Sequence, residues 1–190
     1  MNQVLEDLAS LRYNRQYRVW KPFMQKYDCQ VIAEVGVREG RNFHKMISHK
    51  PRLAVAVDIW KDDGIVSRND KASPQKDLDK QFEKFSHEVS NKPFVCIYRE
   101  YSFEAVKNFP DNFFDLVYID ADHTFEGCYR DIIDWYPKVK KGGFLLGDDY
   151  RDRKTATGVR FGVIKAVEKF TRENNLSYFI FQRSKWGLIK

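Results

Sequence analysis

Two acidic segments that directly follow apolar runs contain the side chains best suited to chemistry. The first run, Leu116–Ile119, has the β-branched and aromatic residues typical of a strand buried on both faces, and Asp120–His123 follows it. The second run, Phe144–Leu146, is followed by Gly147–Tyr150. Because ligands bind at the carboxyl ends of strands in open α/β sheets, both acidic segments are predicted to lie at a ligand-binding edge.

Three carboxylates, those of Asp120, Asp148 and Asp149, are expected to converge if the two strands are neighbours, since paired strands lie about 4.8 Å apart. Such a group is stable only if one carboxyl stays protonated or a cation lies among them. We predict that all three bind a divalent metal ion. Hard oxygen ligands of this kind suit Mg²⁺ or a similar cation.

An earlier strand, Val31–Val35, leads into a glycine-bearing turn and a helix that is expected to extend to about Ser48. Gly36 and Gly40 let a ligand approach the backbone, and the helix N-terminus offers unpaired N–H groups. The glycine spacing is only a weak match to the dinucleotide pattern G-x-G-x-x-G. Glu34 is a charged residue in an apolar strand, so it needs either a ligand with an ammonium group or a structural salt bridge.

Asp58 follows a second apolar strand, Leu53–Val57, and an acidic residue at that point accepts hydrogen bonds from a ribose diol. A helix-capping or loop role is the alternative. Ile59 and Trp60 are expected to pack on an adenine face. Tyr101 and Ser102 precede a short helix and flank the same position, although Ser102 as an N-cap explains that residue equally well.

The remaining pattern predicts five strand–helix units followed by a helix and a hairpin. One or two amphipathic helices with a break near Pro22 are expected over residues 3–27, and the polar segment 61–74 is expected to be a lid or binding loop. The other expected helices and strands span 75–90, 94–98, 102 onward, 124–136, 159–171, 178–182 and 186–189. Lys140–Gly143 is predicted to be a turn.

Length and composition predict one folded domain, and the order of the expected elements divides it into a helical extension, residues 1–27, and an α/β core, residues 28–190. The 43% apolar and 15% aromatic content of the 190 residues excludes disorder. The sequence contains no apolar run of about 20 residues, which excludes a membrane span, and its acidic start lacks a signal-peptide core. The three cysteines are expected to be buried, reduced thiols, which favours a cytoplasmic location.

Positive charge is concentrated at the C-terminal end. Residues 151–190 hold ten Lys or Arg against three Asp or Glu, whereas the whole chain carries +6. A solvated helix face accounts for this asymmetry. The alternative is an electrostatic field that attracts an acidic substrate to the site.

The motifs together resemble the class I S-adenosylmethionine (SAM)-dependent methyltransferases over roughly residues 28–190. The resemblance implies an α/β, Rossmann-like seven-stranded sheet of order 3-2-1-4-5-7-6, with strand 7 antiparallel and helices on both faces. It implies that Glu34, Gly36 and Gly40 hold the methionine part of SAM, with Arg38 where many members have a further glycine. Asp58 matches the ribose ligand, and Ile59 and the pair Tyr101–Ser102 match the adenine contacts.

Within that fold, IDADHTFEG and GGFLLGDDY are similar to the metal-dependent O-methyltransferases, especially the bacterial sugar and macrolide enzymes. This resemblance implies that Asp120, Asp148 and Asp149 are the metal ligands and that Asp120 also borders the cofactor. His123 stands where the catechol and caffeoyl types have a lysine that takes the substrate proton. Histidine is suited to that role near neutral pH, and an outer position around the metal or a helix cap is the alternative.

The expected function is therefore SAM-dependent methylation of a small-molecule hydroxyl, on a sugar, polyketide or phenol, by an enzyme that resembles proteins which commonly self-associate. The basic C-terminus permits a nucleic-acid or protein acceptor, but the strand-4 motif lacks the N/D-P-P-Y/F pattern of many amino-methylating enzymes. The missing G-x-G-x-x-G pattern and the C-terminal hairpin argue against an NAD-dependent oxidoreductase. A binding module without catalysis has no need for clustered carboxylates.

Overall fold

The computed structural model describes residues 4, 6, 20–61, 74–154, 158 and 160–190. Most of the expected N-terminal helical region and nearly all of the expected lid, residues 62–73, lie outside this part. The first full helix, α1, spans Trp20–Lys26. Pro22 lies in its first turn, where the missing N–H has no helical acceptor to lose, so the helix is not broken there.

A seven-stranded sheet of order β3-β2-β1-β4-β5-β7-β6 forms the centre of the molecule, which confirms the predicted strand order. Strands β1 to β5 are parallel, and β7 is antiparallel to both β5 and β6. The strands are β1 Val31–Val35, β2 Leu53–Val57, β3 Val95–Tyr98, β4 Phe114–Ile119, β5 Val139–Gly147, β6 Phe179–Phe181 and β7 Lys185–Ile189.

Helices cover both faces of the sheet, which is why the central strands read as continuous apolar runs. On one face, α1, α2 (Arg41–Met46) and α3 (Gln75–Val89) pack through Trp20, Phe43 and Phe85. On the other face, α4 (Ser102–Ala105), α5 (Phe125–Trp135) and α6 (Val163–Glu173) pack through large side chains that include Trp135 and Phe170. Short 3₁₀ turns at Ile47–His49, Val106–Asn108 and Tyr136–Lys138 extend three of the helices.

Strand β5 is longer than predicted, because Lys140–Gly143 is part of it rather than a turn before it. The register shifts here, since Phe114 faces Val139 whereas Leu116 faces Phe144. Asp115, between the two β4 residues, stabilises the bulge: its carboxylate accepts a hydrogen bond from Lys140 Nζ at 2.5 Å and another from the Val31 N–H at 2.7 Å.

The helix starts were predicted with mixed success. Thr124 caps α5 as expected, because its hydroxyl accepts a hydrogen bond from the Gly127 N–H at 3.1 Å. Ser102 is not an N-cap: it is the first residue of α4, and Tyr101 precedes it without a side-chain cap.

The cysteines are all free thiols, but only two are buried. Cys29 and Cys128 lie in the core, and burial raises the pKa of the Cys29 thiol to about 12. Cys96 is exposed because β3 is an edge strand, so the prediction of burial is wrong for this residue. None of the helices in the described part of the chain combines the length and the apolarity that crossing a bilayer requires.

The turn after β1 depends on glycine. Gly36 has φ +91°, its N–H donates to the Val57 carbonyl at 2.8 Å, and an added Cβ would lie 2.2 Å from the Asp120 carbonyl oxygen. Gly36 therefore lets the carboxyl ends of β1, β2 and β4 approach one another closely.

Replacing Gly36 by alanine is expected to lower the free energy of unfolding by about 2–5 kcal/mol, since the left-handed backbone costs about 1–2 kcal/mol and the overlap with Asp120 adds about 1–3 kcal/mol. Gly142→Ala is the matched control, because Gly142 has φ +78° and open space around it. Gly142→Ala should lower the free energy of unfolding only by the contribution of the left-handed backbone, about 1–2 kcal/mol. Urea unfolding of both variants checks this, and equal losses would contradict the proposed close approach.

Candidate active site

Glu34 lies within β1, where the core surrounds it almost completely, with 1% exposure. Its Oε1 accepts a hydrogen bond from Asn42 Nδ2 at 3.1 Å, and Asn42 in turn accepts one from Trp20 Nε1 at 2.7 Å. Oε2 of Glu34 is buried without a hydrogen-bond partner. Burial raises the pKa of Glu34 well above its ordinary value, while the Asn42 hydrogen bond lowers it. An unsatisfied buried carboxyl oxygen suits a ligand that brings its own donor.

Asp58 connects the turns after β1 and β2. Its two carboxylate oxygens accept hydrogen bonds at 2.8 Å from the backbone N–H groups of Arg38 and Trp60. Burial raises the pKa of Asp58, and these N–H groups oppose that shift. Because a carboxylate has about four acceptor positions, the side chain can still accept hydrogen bonds from a ligand diol.

Trp60 does not offer a face to adenine. Its indole is 1% exposed, packs against Phe82 and Phe85 at ring-centroid distances of 5.1 and 5.6 Å, and donates through Nε1 to the Arg38 carbonyl at 2.8 Å. The prediction that Trp60 packs on a nucleobase is therefore wrong. Ile59, half-buried beside it, remains next to Asp58.

Tyr101 and Ser102 follow β3, at the same edge of the sheet as Asp58. The Tyr101 ring is half-buried and stacks on Phe103 with 5.1 Å between centroids. The Ser102 hydroxyl accepts a hydrogen bond from Trp135 Nε1 at 2.8 Å, which joins α4 to α5. This contact gives Ser102 a structural role besides any contact with a ligand.

Gly40 also has a structural reason for its type. It adopts φ +74° just before α2, and an added Cβ would lie 2.4 Å from the Phe85 ring. The predicted cofactor glycines thus shape a tight turn whose sides are packed against β4 and α3.

A cluster of three potential metal ligands lies where β4 and β5 end. His123 Nε2 is 3.2 Å from Asp120 Oδ1 and 3.2 Å from Asp149 Oδ2, and one ligand atom from each residue lies within 4.8 Å of the others. The His123 ring stacks on Phe161 at 4.8 Å with an interplanar angle of 7°, and its carbonyl accepts from the Gly162 N–H at 2.7 Å. The imidazole is therefore fixed between the two carboxylates.

Asp148 is not in this cluster, which is where the structure departs from the predicted ligand set of Asp120, Asp148 and Asp149. Oδ2 of Asp148 forms an ion pair with Lys185 and accepts a hydrogen bond from the Tyr118 hydroxyl at 3.1 Å. Its Oδ1 accepts from the Ser184 hydroxyl at 3.3 Å. The backbones of Asp120 and Asp148 do follow paired strands, as Ile119 faces Gly147, but the Asp148 side chain is bound to the hairpin.

The pKa values of Asp120 and Asp148, the two aspartates that follow β4 and β5, are shifted in opposite directions. Burial raises the pKa of Asp120, with a further rise from the Asp148 charge, and the hydrogen bond from His123 opposes it. Burial also acts on Asp148, but the charge and hydrogen bond of Lys185 hold the pKa of Asp148 below its ordinary value. Asp148 is thus ionised, and the Lys185 ammonium balances its charge from within the protein.

The donor set of Asp120, His123 and Asp149 fits a divalent cation. Two ligands bound at right angles, each about 2.1 Å from one ion, lie about 3 Å apart, which is near the separations found around His123 Nε2. Two carboxylates and an imidazole are common ligands of divalent metals. The sequence did not indicate Lys185, Asn42 or Phe161 as parts of the site.

Comparison with known proteins identifies the family. A family model described as a methyltransferase domain matches residues 33–150, well over half of the chain. The chain belongs to this methyltransferase family. The match begins within β1 and ends just beyond Asp149, so it includes Glu34, Asp58, Asp120 and His123.

Solved structures agree with the methyltransferase fold. The O-methyltransferase NovP has a TM-score of 0.64 at 14% identity, covering 99% of this chain and 79% of NovP. An O-methyltransferase from Bacillus cereus in complex with S-adenosylhomocysteine (SAH) has a TM-score of 0.62 at 12% identity, covering 100% and 92%. At these identities the similarity shows the fold, which is that of the class I SAM-dependent methyltransferases.

A sequence relative comes from a giant virus. "Uncharacterized protein R132" of Acanthamoeba polyphaga mimivirus is 32% identical over 142 residues, which are 74% of this methyltransferase and 60% of the viral protein. The chain therefore spans about three-fifths of the length of this relative.

The Asp148–Lys185 pair gives a stability prediction. Asp148→Asn leaves the buried Lys185 ammonium without a counter-charge, and breaking a buried pair in this way is expected to cost about 3–5 kcal/mol. The control is Asp152→Asn, because Asp152 pairs with Arg160 at 2.5 Å on the surface, with both side chains about 60% exposed. It should cost less than about 1 kcal/mol. Urea unfolding of both variants measures the difference, and equal losses would contradict the burial argument.

Proposed function

We propose that this methyltransferase transfers a methyl group from SAM to a hydroxyl oxygen of a small molecule, with a divalent metal at Asp120, His123 and Asp149. The observation that carries the proposal is the carboxyl edge of the sheet. Glu34, a buried glutamate with an unpaired oxygen, lies near the end of β1, and Asp58, suited to a ribose diol, follows β2. The compact cluster of metal donors follows β4 and β5. The family match and the O-methyltransferase structures support the reaction class.

The cofactor would lie over the ends of β1 and β2. The unpaired Oε2 of Glu34 is the natural acceptor for the ammonium of its methionine part, and the Gly36–Gly40 turn leaves room for close backbone approach. Asp58 would hold the ribose hydroxyls, with Ile59, Tyr101 and Ser102 around the adenine. Asp120 belongs to the metal cluster and would also border the cofactor, because its N–H donates to the Val35 carbonyl at 2.7 Å at the end of β1.

The acceptor hydroxyl would be positioned at the donor cluster. When bound there, a divalent ion orients such a hydroxyl and lowers its pKa. Phe161 and the Gly162 N–H keep His123 directed at both aspartates. Because one imidazole nitrogen cannot bind a cation and accept a proton at once, His123 as general base is the alternative to His123 as ligand.

An anionic acceptor is favoured by the charges beside the cluster. Arg151 forms an ion pair with Asp149, and the Arg153 guanidinium lies 5.6 Å from the centre of the Phe161 ring that supports His123. The basic C-terminal segment thus extends to the site itself. A small hydroxyl compound with a carboxylate or phosphate group is the acceptor class we propose.

Calorimetry with SAH tests the cofactor assignment. Glu34→Gln is expected to weaken SAH binding at least about tenfold, since a charged hydrogen bond is worth about 1.5–3 kcal/mol. Glu88→Gln is the matched control, because Glu88 pairs with His44 at 2.8 Å on the surface of α3. NADH should not bind. Unchanged SAH affinity in Glu34→Gln, or no SAH binding by the natural chain, would contradict the proposal.

Proton release on SAH binding provides a second check. Burial raises the pKa of Glu34, which shifts its titration toward the neutral form. An ammonium group against Oε2 favours the ionised form, which lowers that pKa again, and a proton leaves as the ligand binds. The binding enthalpy should therefore depend on the ionisation enthalpy of the buffer. The dependence should disappear in Glu34→Gln, and its persistence there would assign the proton to another group.

A further inference from the structure

We infer that Lys185 is an internal counter-cation that withdraws Asp148 from the metal, so that Asp120, His123 and Asp149 are the ligands and the site prefers Mn²⁺ to Mg²⁺. The inference deepens the proposed function and rests on it. It changes the ligand set that the order of acidic residues in the sequence predicts, and it gives a role to a lysine outside the motifs.

The environment of Lys185 is the first observation. Its side chain, the first of β7, is buried, and its ammonium contacts both Asp148 Oδ2 and the Tyr118 hydroxyl. The ammonium also lies 5.1 Å from the centre of the Tyr118 ring. A buried lysine is stable only with a counter-charge, and Asp148 supplies it.

The hairpin holds Asp148 from several directions. Besides Lys185, the Ser184 hydroxyl donates to Oδ1 at 3.3 Å, and Trp186 Nε1 donates to the Asp148 carbonyl at 3.2 Å. These contacts come from three consecutive residues, Ser184 in the β6–β7 turn and the first two residues of β7. A metal at the Asp148 carboxylate would compete with the Lys185 and Ser184 contacts and would lie next to an ammonium of the same sign, so Asp148 is a poor ligand in this protein.

The same arrangement sets the direction of Asp149. Oδ1 of Asp148 accepts a hydrogen bond from the Asp149 N–H at 2.8 Å, and Asp149 has the left-handed φ of +57°. In that conformation its carboxylate reaches His123 Nε2. Asp148 therefore supports a neighbouring ligand through Oδ1, while Lys185 occupies its Oδ2.

The resulting ligand set determines which metal is preferred. Both Mg²⁺ and Mn²⁺ accept carboxylates, but Mg²⁺ is bound through oxygen ligands and retains several waters. Mn²⁺, as a first-row transition metal, accepts an imidazole nitrogen beside carboxylates more readily than Mg²⁺ does. With Asp148 withdrawn, His123 replaces a third carboxylate at the cluster, and the preference moves from Mg²⁺ toward Mn²⁺.

A double-mutant cycle on the full chain tests the withdrawal of Asp148. Mn²⁺ affinity is measured by the electron paramagnetic resonance signal of unbound Mn²⁺. The circular dichroism spectrum checks that each variant is folded, and SAH binding is measured alongside. Asp120→Asn and Asp149→Asn should each lower Mn²⁺ affinity at least about tenfold. Asp148→Asn should lower it through charge alone, because the Lys185 ammonium is then uncompensated and repels the cation. Lys185→Met should raise it about tenfold, because Asp148 then becomes available as a ligand.

The double variant Asp148→Asn/Lys185→Met completes the cycle and contains no lone buried charge. It should bind Mn²⁺ about as tightly as the natural chain, because in neither protein does residue 148 act as a ligand and in neither is a buried charge left unpaired. If either single variant does not fold, this double variant alone is compared with the natural chain and should match its Mn²⁺ affinity.

Metal preference is measured by competition. Mg²⁺ should displace Mn²⁺ from the natural chain only at large excess, and His123→Asn, which substitutes an oxygen donor, should bring the two affinities closer. A loss of about tenfold or more in the double variant, or equal Mg²⁺ and Mn²⁺ affinities in the natural chain, would overturn the inference while leaving the proposed function intact. Absence of Mn²⁺ binding would overturn both the inference and the proposed metal, and absence of SAH binding would overturn the proposed cofactor.

Discussion

The burial of negative charge at the carboxyl edge of the sheet is the constraint on which this structure depends. Glu34, Asp58, Asp120 and Asp148 all lie at that edge, and each has a different compensation. Asp58 uses backbone N–H groups, Asp148 uses an ammonium and Asp120 uses an imidazole. Glu34 is compensated only in part, by one amide. A ligand that completes these compensations gains the free energy that the empty protein lacks.

Parallel strand pairing is what assembles these groups from distant parts of the chain. The registers of β1 with β2 and with β4 align Val35 with Val57 and with Ile119, so the residues that follow lie side by side. Gly36 allows the three strand ends to approach closely. The site is thus a property of the sheet edge rather than of one motif, and it depends on the same apolar strands that form the core.

Much of the fold follows from local sequence because the strands are apolar runs with clear ends. Val31–Val35 and Leu53–Val57 have the predicted bounds, since each is buried and bordered by polar or glycine residues. Lys140–Gly143 was mistaken for a turn because the local sequence is polar and glycine-rich. Its neighbours Val139 and Phe144 pair with β4, and Gly142 and Gly143 exchange backbone hydrogen bonds with Lys190, which keeps the segment in the sheet. The exposure of Cys96 was not predictable for a similar reason, because β3 lies at the edge of the sheet and that position depends on the order of all seven strands.

The direction of the Asp148 side chain was not predictable from the acidic motif. The motif gives the order of the carboxylates, but the direction of each depends on which charges reach it from elsewhere. Trp60 is similar: its position after β2 is as expected, yet α3 covers its ring. Such outcomes depend on contacts between elements far apart in sequence, for which a single chain carries no local signal.

The antiparallel strand explains how a lysine reaches this edge. In parallel strands, the carboxyl end of the sheet is formed by the last residues of each strand and by those that follow it. Because β7 runs in the opposite direction, with Trp186 facing Gly147, its first residue lies there instead. Lys185 therefore enters from the start of a strand, beside Asp148 at the end of its neighbour. The reversed hairpin thus both closes the sheet and brings a positive charge to a cluster of carboxylates, which a further parallel strand would supply only from a loop beyond its end.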